Sequence, residues 1–203
     1  MDKHILINIG RQFGAGGKGI AALLGERLDI PVYDSELLQK AAEESGFSPA
    51  IFRKNDERRR VFRFGSLFGL SRASSYAPSG IDETELFKYQ SDAIRSIAAQ
   101  GNAIFVGRCS DYVLRDMRCL DVFICAPMED RVKRVCERTG MSAEEAERYI
   151  TKKEKARRDY YNFFTLGNWG VASNYDLCLD SSLIGLEGCA ELVIDFGRRS
   201  GII

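Results

Sequence analysis

Apolar residues fall along this chain in short, nearly unbroken runs, set between longer stretches where they recur at helical spacing. Runs of the first kind suit strands covered by helices, and spacing of the second kind suits helices with one buried face. HILINIG (4–10) reads as a buried strand. In the GIAALLGERLDI that follows a glycine-rich stretch, Ile20, Leu23, Leu24 and Leu28 predict a helix starting near Gly17. PVYD (31–34) is a second short strand, and SELLQKAAEES is a helix with Ser35 as its N-cap. Helical spacing returns from Asp82, a candidate cap, to Gln100, through Leu86, Tyr89, Ile94 and Ile97. AIFVG (103–107) and LDVFICAP (120–127) are further strands, and MEDRVKRVCERTG is a helix. SAEEAERYITKKEKARRDYY is a long charged helix opened by Ser142 and Glu145 at capping-box spacing. NYDLCLDSS supplies a last strand near 175–180, and a helix from about 185 to 199 closes the chain.

Strands alternate with helices throughout, which predicts an α/β, doubly wound, five-stranded parallel sheet with helices on both faces. No repeat, low-complexity tract or linker divides residues 1–203, so one domain is expected. Residues 47–81 break the pattern. RKNDERRRVFRF is dense in charge, GSLFGLSRASSYAPSG is loop-like, and the segment reads as an insert with a short helix.

Composition narrows the function classes. Lys plus Arg and Asp plus Glu each number 29, so no overall field favours nucleic acid or an anionic membrane, and any anion site has to be local. No apolar run is long enough for a membrane span, and MDKHILINIG lacks the apolar stretch and cleavage site of a secretory signal. Six cysteines, at 109, 119, 125, 136, 178 and 189, form no C-x-x-C pair and lie far from the single histidine, His4. They read as reduced core residues of a cytoplasmic protein and not as a zinc site.

The candidate chemistry lies in GRQFGAGGKGI (10–20). Strand, glycine loop and helix in that order form a phosphate cradle: glycines let backbone N–H groups converge on one anion, and the helix start adds partial positive charge. Gly14, Ala15, Gly16, Gly17, Lys18, Gly19 and Ile20 are the candidate nucleotide-binding residues, with Lys18 placed to reach a β- or γ-phosphate oxygen. The stretch departs from G-x-x-x-x-G-K-[ST] at Gln12, where a glycine is usual, and at Gly19, where a hydroxyl is usual.

These residues, with others in the same order and spacing, make the chain resemble the cytidylate kinase-like family, a divergent branch of the P-loop nucleoside monophosphate kinases. The resemblance rests on FGAGGKGIA (13–21), PVYDSELL (31–38), VGRCSDYVL (106–114), DVFICAPMEDRVKRV (121–135), and KARRDYYNFFT (155–165) through NYDLCLDSS (174–182). It implies a P-loop kinase-like three-layer sandwich with an acceptor-binding insert over 47–81 and a lid-like segment over 150–172. The branch departs from true cytidylate kinases in having Val106 and Cys109 around Gly107-Arg108, where acidic residues would stand.

Asp34 ends the second strand on the side where ligands bind in open α/β sheets. The resemblance turns it toward the γ-phosphate region, to hold magnesium through water or to orient the acceptor; the alternative is a helix cap. Arg108 matches an arginine that binds the acceptor's phosphate, a task suited to a planar guanidinium. Asp111 and Tyr112 are candidates for reading the acceptor's base or sugar. Arg157 and Arg158 fall on the implied lid, where either could neutralise charge in the transition state. Phe163, Phe164 and Trp169 would pack the lid or shield the site. Arg59 and Arg63, four apart in the insert, share a helix face and are further acceptor-binding candidates.

The resulting expectation is transfer of the γ-phosphoryl group of ATP, with Mg2+, to a nucleoside monophosphate. A nucleotide-binding regulator with little kinase activity, and a kinase of another small metabolite, stay open as alternatives. The expected partner is a small nucleotide, with neither nucleic acid nor membrane, and the expected assembly is a monomer or homodimer.

Overall fold

The structure is a computed structural model and describes residues 4–38 and 83–203. The insert over 47–81, with Arg59 and Arg63, lies outside the described residues, as does the proposed cap Asp82.

Five parallel strands form one sheet: β1 (Leu6–Arg11), β2 (Val32–Tyr33), β3 (Ala103–Val106), β4 (Leu120–Cys125) and β5 (Leu177–Asp180), in the order β2-β3-β1-β4-β5. β1 is therefore central, with Ile9 opposite Val106 on one side and Val122 on the other. The helices are α1 (Gly17–Leu28), α2 (Glu83–Gln100), the short α3 (Ser110–Val113), α4 (Met128–Thr139), α5 (Ala143–Thr165) and α6 (Ser181–Arg199). This is the five-stranded parallel α/β architecture expected from the alternating pattern.

Alternation along each strand sends side chains to two cores. Ile7, Ile9, Ile104, Val106, Val122 and Ile124 pack with Ile20 and Leu24 of α1 and Cys189, Ala190 and Val193 of α6. On the other face Leu6, Ala103 and Phe105 meet Ile94 and Ala98 of α2 and Val113 of α3. Each fully buried Ile, Leu or Phe contributes about 1.5–3 kcal/mol, so the sheet ends are fixed firmly enough to hold loops in place. A third, smaller core of Val135, Ala146 and Ile150 joins α4 to α5.

The ends of the elements follow local chemistry. α4 ends at Gly140, whose φ of 73° only glycine takes without strain. α5 opens with the capping box expected from Ser142 and Glu145. α6 starts at Ser181, four residues before the expected start, because Asp180 caps it through Ser182 N–H; Gly185 interrupts it with φ 70° and ψ −175°. In the last turn of α5, Phe164 stacks on Phe87 of α2 at 4.1 Å, and beyond the helix Trp169 meets Phe123 edge-on at 5.4 Å, so these two aromatics pack this stretch to the body. Phe163 is 68% exposed. All six cysteines are unpaired, and among the described residues no helix is long and apolar enough to cross a membrane.

Candidate active site

The glycine loop connects the end of the central strand to α1. Gly14 and Gly16 have φ of 84° and 85°, a region closed to most side chains, and Gly16 is the residue before the helix. A Cβ at Gly14 would also lie 3.0 Å from Arg131 Cβ. Ile20 N–H bonds back to Gly16 O at 3.1 Å, which leaves the N–H groups of Gly17, Lys18 and Gly19 as the free end of the helix. Ala15 is tied below the loop, its carbonyl accepting from Ser181 Oγ at 2.7 Å. Arg134 donates to Ser181 Oγ and, at 3.5 Å, to Gly14 O.

Both departures from the usual loop pattern have a physical reason. Gln12 uses its side chain to close the loop onto β4: Oε1 accepts from Ala126 N–H at 3.1 Å, while its own N–H donates to Ile124 O. Gly19 faces α6, and a Cβ there would lie 2.8 Å from Leu186 Cδ1, so the usual hydroxyl-bearing side chain would require that leucine to shift. Ile20, grouped above with the nucleotide-binding residues, is fully buried in the core, and its N–H is already used. It supports the loop from beneath.

Lys18 Nζ lies 2.6 Å from Asp34 Oδ2, with side-chain exposures of 69% and 16%. Asp34 has two tasks, because Oδ1 accepts from Glu36 N–H at 3.0 Å and Leu37 N–H at 3.2 Å. Asp34, not Ser35, therefore caps the helical turn at 35–38, which corrects the expectation for Ser35 and meets the cap alternative stated for Asp34; an Asp-Ser pair offers two capping residues and only the backbone path selects one. Burial works to raise the Asp34 carboxyl, but hydrogen bonds from Lys18 and Leu37 and the Lys18 charge outweigh it, so the group sits below its ordinary value.

Opposite the loop, Gly107, Arg108 and Cys109 take φ of 73°, 61° and 55°. Two consecutive non-glycine residues in the left-handed region are costly and cluster at functional turns. Arg108 is partly exposed and sits over the Tyr160 ring of α5 at 5.6 Å. Of the two arginines near the end of α5, Arg157 turns inward, donating to Arg11 O at 3.2 Å and lying 5.0 Å from the Phe13 ring, whereas Arg158 is exposed. Burial, against the opposing charge of Glu154 and with the help of Arg108 and Arg138, pushes the Arg157 guanidinium down to about 10. Asp111 accepts from Tyr161 Oη at 2.7 Å, and Tyr112 carries Arg115 over its ring at 4.3 Å. Lys18, Asp34, Arg108 and Arg157 thus converge at the carboxyl end of the sheet, while Tyr112 packs under Arg115 and Arg158 is exposed.

Sequence reasoning passed over Arg11, Arg131 and Glu154. Arg131 Nη1 bonds both Glu154 oxygens at 3.0 Å in a buried pair beside the loop. The only signal for it was position: Arg131 follows β4 in the first turn of α4.

A parallel sheet in this order, with a glycine loop on its central strand and a lysine in the first helical turn, defines the P-loop kinase class of α/β protein. The chain belongs to the cytidylate kinase-like family, whose profile matches residues 6–183. The cytidylate kinase of Pyrobaculum arsenaticum is 25% identical over 197 residues, covering 95% of this chain and 92% of that protein. A crystal structure of an uncharacterized protein from Eubacterium ventriosum superposes with a TM-score of 0.72 at 26% identity, covering 95% of this chain and 97% of that one. Shikimate kinase from Bacteroides thetaiotaomicron, with a TM-score of 0.52, 13% identity and 95% and 97% coverage, shares the fold alone. Family and fold together support kinase-type phosphoryl transfer.

Proposed function

We propose that this chain transfers the γ-phosphoryl group of ATP to the phosphate of a nucleoside monophosphate, cytidylate-like in kind. The observation that carries the reading is the Lys18–Asp34 ion pair at 2.6 Å, set at the mouth of a glycine loop. A lysine held there by a carboxylate is ready to exchange that partner for a phosphate oxygen.

Phosphoryl transfer asks a protein mainly for position and charge neutralisation. The free N–H groups at the start of α1 bind the β-phosphate, and Lys18 spans to the γ-phosphate. Arg108 takes the acceptor's phosphate in a two-oxygen grip, and Arg157 neutralises charge from the α5 side. Asp111 and Tyr112 of α3 would read the acceptor's base or sugar, and Arg158, Arg59 and Arg63 stay candidates for binding it. Magnesium is commonly held by one or two carboxylates plus phosphate oxygens and water, and Asp34 with ATP fits that donor set. When bound, the ion would neutralise charge shared by the β- and γ-phosphates.

Incubation with ATP, magnesium and a panel of nucleoside monophosphates, with ADP as the readout, tests the reading. Acceptor-dependent ADP from one panel member, lost in Lys18→Ala, is expected. ATP binding without ADP from any acceptor would instead identify a nucleotide-responsive regulator.

A further inference from the structure

Arg11 ends β1 immediately before the glycine loop, and two glycines on other elements make room for its side chain. A Cβ at Gly17 would lie 2.8 Å from Arg11 Cβ and 2.9 Å from Cγ; one at Gly107 would lie 1.8 Å from Nη1 and 2.9 Å from Cζ. The aliphatic stem therefore runs along the first residue of α1, and the guanidinium rests on the turn that carries Arg108. The Arg11 carbonyl holds Arg157 alongside, through the 3.2 Å bond from Nη1. Among the described residues none of Arg11, Arg108 and Arg157 makes a salt bridge to a carboxylate. Burial first, then the charges of Arg157 and Arg108, press the Arg11 guanidinium well below its ordinary value, with Asp34 opposing. Three cations gathered with no ion-paired carboxylate among the described residues make an arrangement that an anion between them would stabilise.

We propose that Arg11 is a phosphoryl-bridging arginine, whose guanidinium contacts the group in transit between the glycine loop and the phosphate held by Arg108. This rests on the phosphoryl-transfer reading of the same site. In that step the bond from γ-phosphorus to the bridging oxygen breaks and its electron pair leaves with ADP. A lone pair on the acceptor's phosphate oxygen forms the new bond to phosphorus. The transferred group carries its negative charge on three outer oxygens, and a planar guanidinium can hold two of them at once. Arg11 spans from the donor's loop to the acceptor's turn, so its contact strengthens as the group crosses. Glycine at 107 is then required for more than its turn, since any side chain there would occupy the place of Nη1.

The test uses Arg11→Met, which keeps the stem and removes the fork, with Arg11→Lys and Gly107→Ala beside it. ATP and ADP are titrated separately, thermal midpoints are taken without nucleotide, and turnover is measured with the acceptor panel. Arg11→Met is expected to bind ADP within about twofold of the wild type, to bind ATP about tenfold more weakly, and to lose about a hundredfold or more in kcat. Its nucleotide-free midpoint should equal or exceed the wild-type value, because a disfavoured cation has been removed. Arg11→Lys should fall between the two, and Gly107→Ala, which pushes the guanidinium aside, should reproduce the loss of ATP-over-ADP preference. An equal loss of ATP and ADP affinity with a lowered midpoint would make Arg11 a structural support and overturn the proposal. Wild-type kcat and ATP preference in Arg11→Met would overturn it while leaving the phosphotransfer reading intact. A wild-type protein that neither binds ATP nor releases ADP would remove both.

Discussion

Two sets of arginines stand at the same end of the sheet, and they have opposite partners. Arg131 and Arg134, both on α4, are paired by the protein: Arg131 Nη1 with both Glu154 oxygens, its buried Nε being left without a partner, and Arg134 with Ser181 and Gly14 O. Arg11, Arg108 and Arg157 have no carboxylate partner among the described residues and lie against aromatic rings, glycines and one another. The first set fixes the loop's geometry from below. The second set lines the space above it. A charged side chain paired with an opposite charge serves the architecture, whereas one without such a partner is free to meet a ligand's charge, the role proposed above for the second set.

The largest expected effect comes from breaking the engaged set. Arg131→Met leaves Glu154 buried without its cation, and removal of one partner of a buried pair costs about 3–5 kcal/mol. Denaturant midpoints should show that loss, and ATP affinity should fall with it because Arg131 lies under Gly14. Replacing both partners, Arg131→Met with Glu154→Leu, should recover most of the stability, since no charge is then stranded. If Arg131→Met were as stable as the wild type, the contrast between the two sets would collapse.

Lys18 lies between the two cases, paired yet largely exposed. Its loss in Lys18→Ala should scarcely change stability, because exposed pairs contribute about 0–1 kcal/mol. ATP binding should weaken by about 1.5–3 kcal/mol, the range for hydrogen bonds to charged groups. Isothermal titration separates the two readouts, and unchanged ATP affinity would sink the phosphate-loop assignment.

Arg108→Gly probes the gathered set. Glycine adopts the φ of 61° freely, so stability should hold or rise by about 1 kcal/mol while the acceptor's KM rises at least tenfold and that of ATP changes little. A drop in ATP affinity with acceptor binding intact would exchange the two subsites.

How far the sequence reveals all this depends on the range of each interaction. The strands and helices were legible because burial imposes a period on neighbouring residues, and the loop, Lys18 and Asp34 were legible because they sit at junctions of those elements. Ser35 in place of Asp34 as the cap, and the late start given to α6, are errors of a residue or a turn, set by backbone path and by the break at Gly185. The reasons for Gln12 and Gly19 could not be read locally, since they lie in contacts with Ala126 and Leu186 on other elements. The Arg131–Glu154 pair joins helices across 23 positions and is hidden in two runs of ordinary surface charge. Arg11 needed Gly107 beside it before its place had any meaning.

The smallest effect extends the comparison to acids. Asp121 of β4 accepts from Asn8 Nδ2 at 2.7 Å, and its N–H donates to Asp176 Oδ2. Burial first, against the Asn8 hydrogen bond and with the charges of Asp111 and Asp176 adding, lifts its carboxyl from 3.8 to about 6. The folded protein therefore holds this proton more tightly than the unfolded chain does. Asp121's favourable contribution is complete below about pH 4, fades as pH rises through about 6, and is absent above that. Asp121→Asn keeps an oxygen for Asn8 and the backbone N–H for Asp176 but carries no charge. The variant should match the wild type near pH 4 and be more stable by about 1–2 kcal/mol above pH 7, with the difference opening between those limits. Thermal midpoints across pH 4–8 measure it. If Asp121→Asn were less stable at neutral pH, the Asp121 carboxylate would belong with Glu154, as a charge its surroundings satisfy, and not with the gathered arginines.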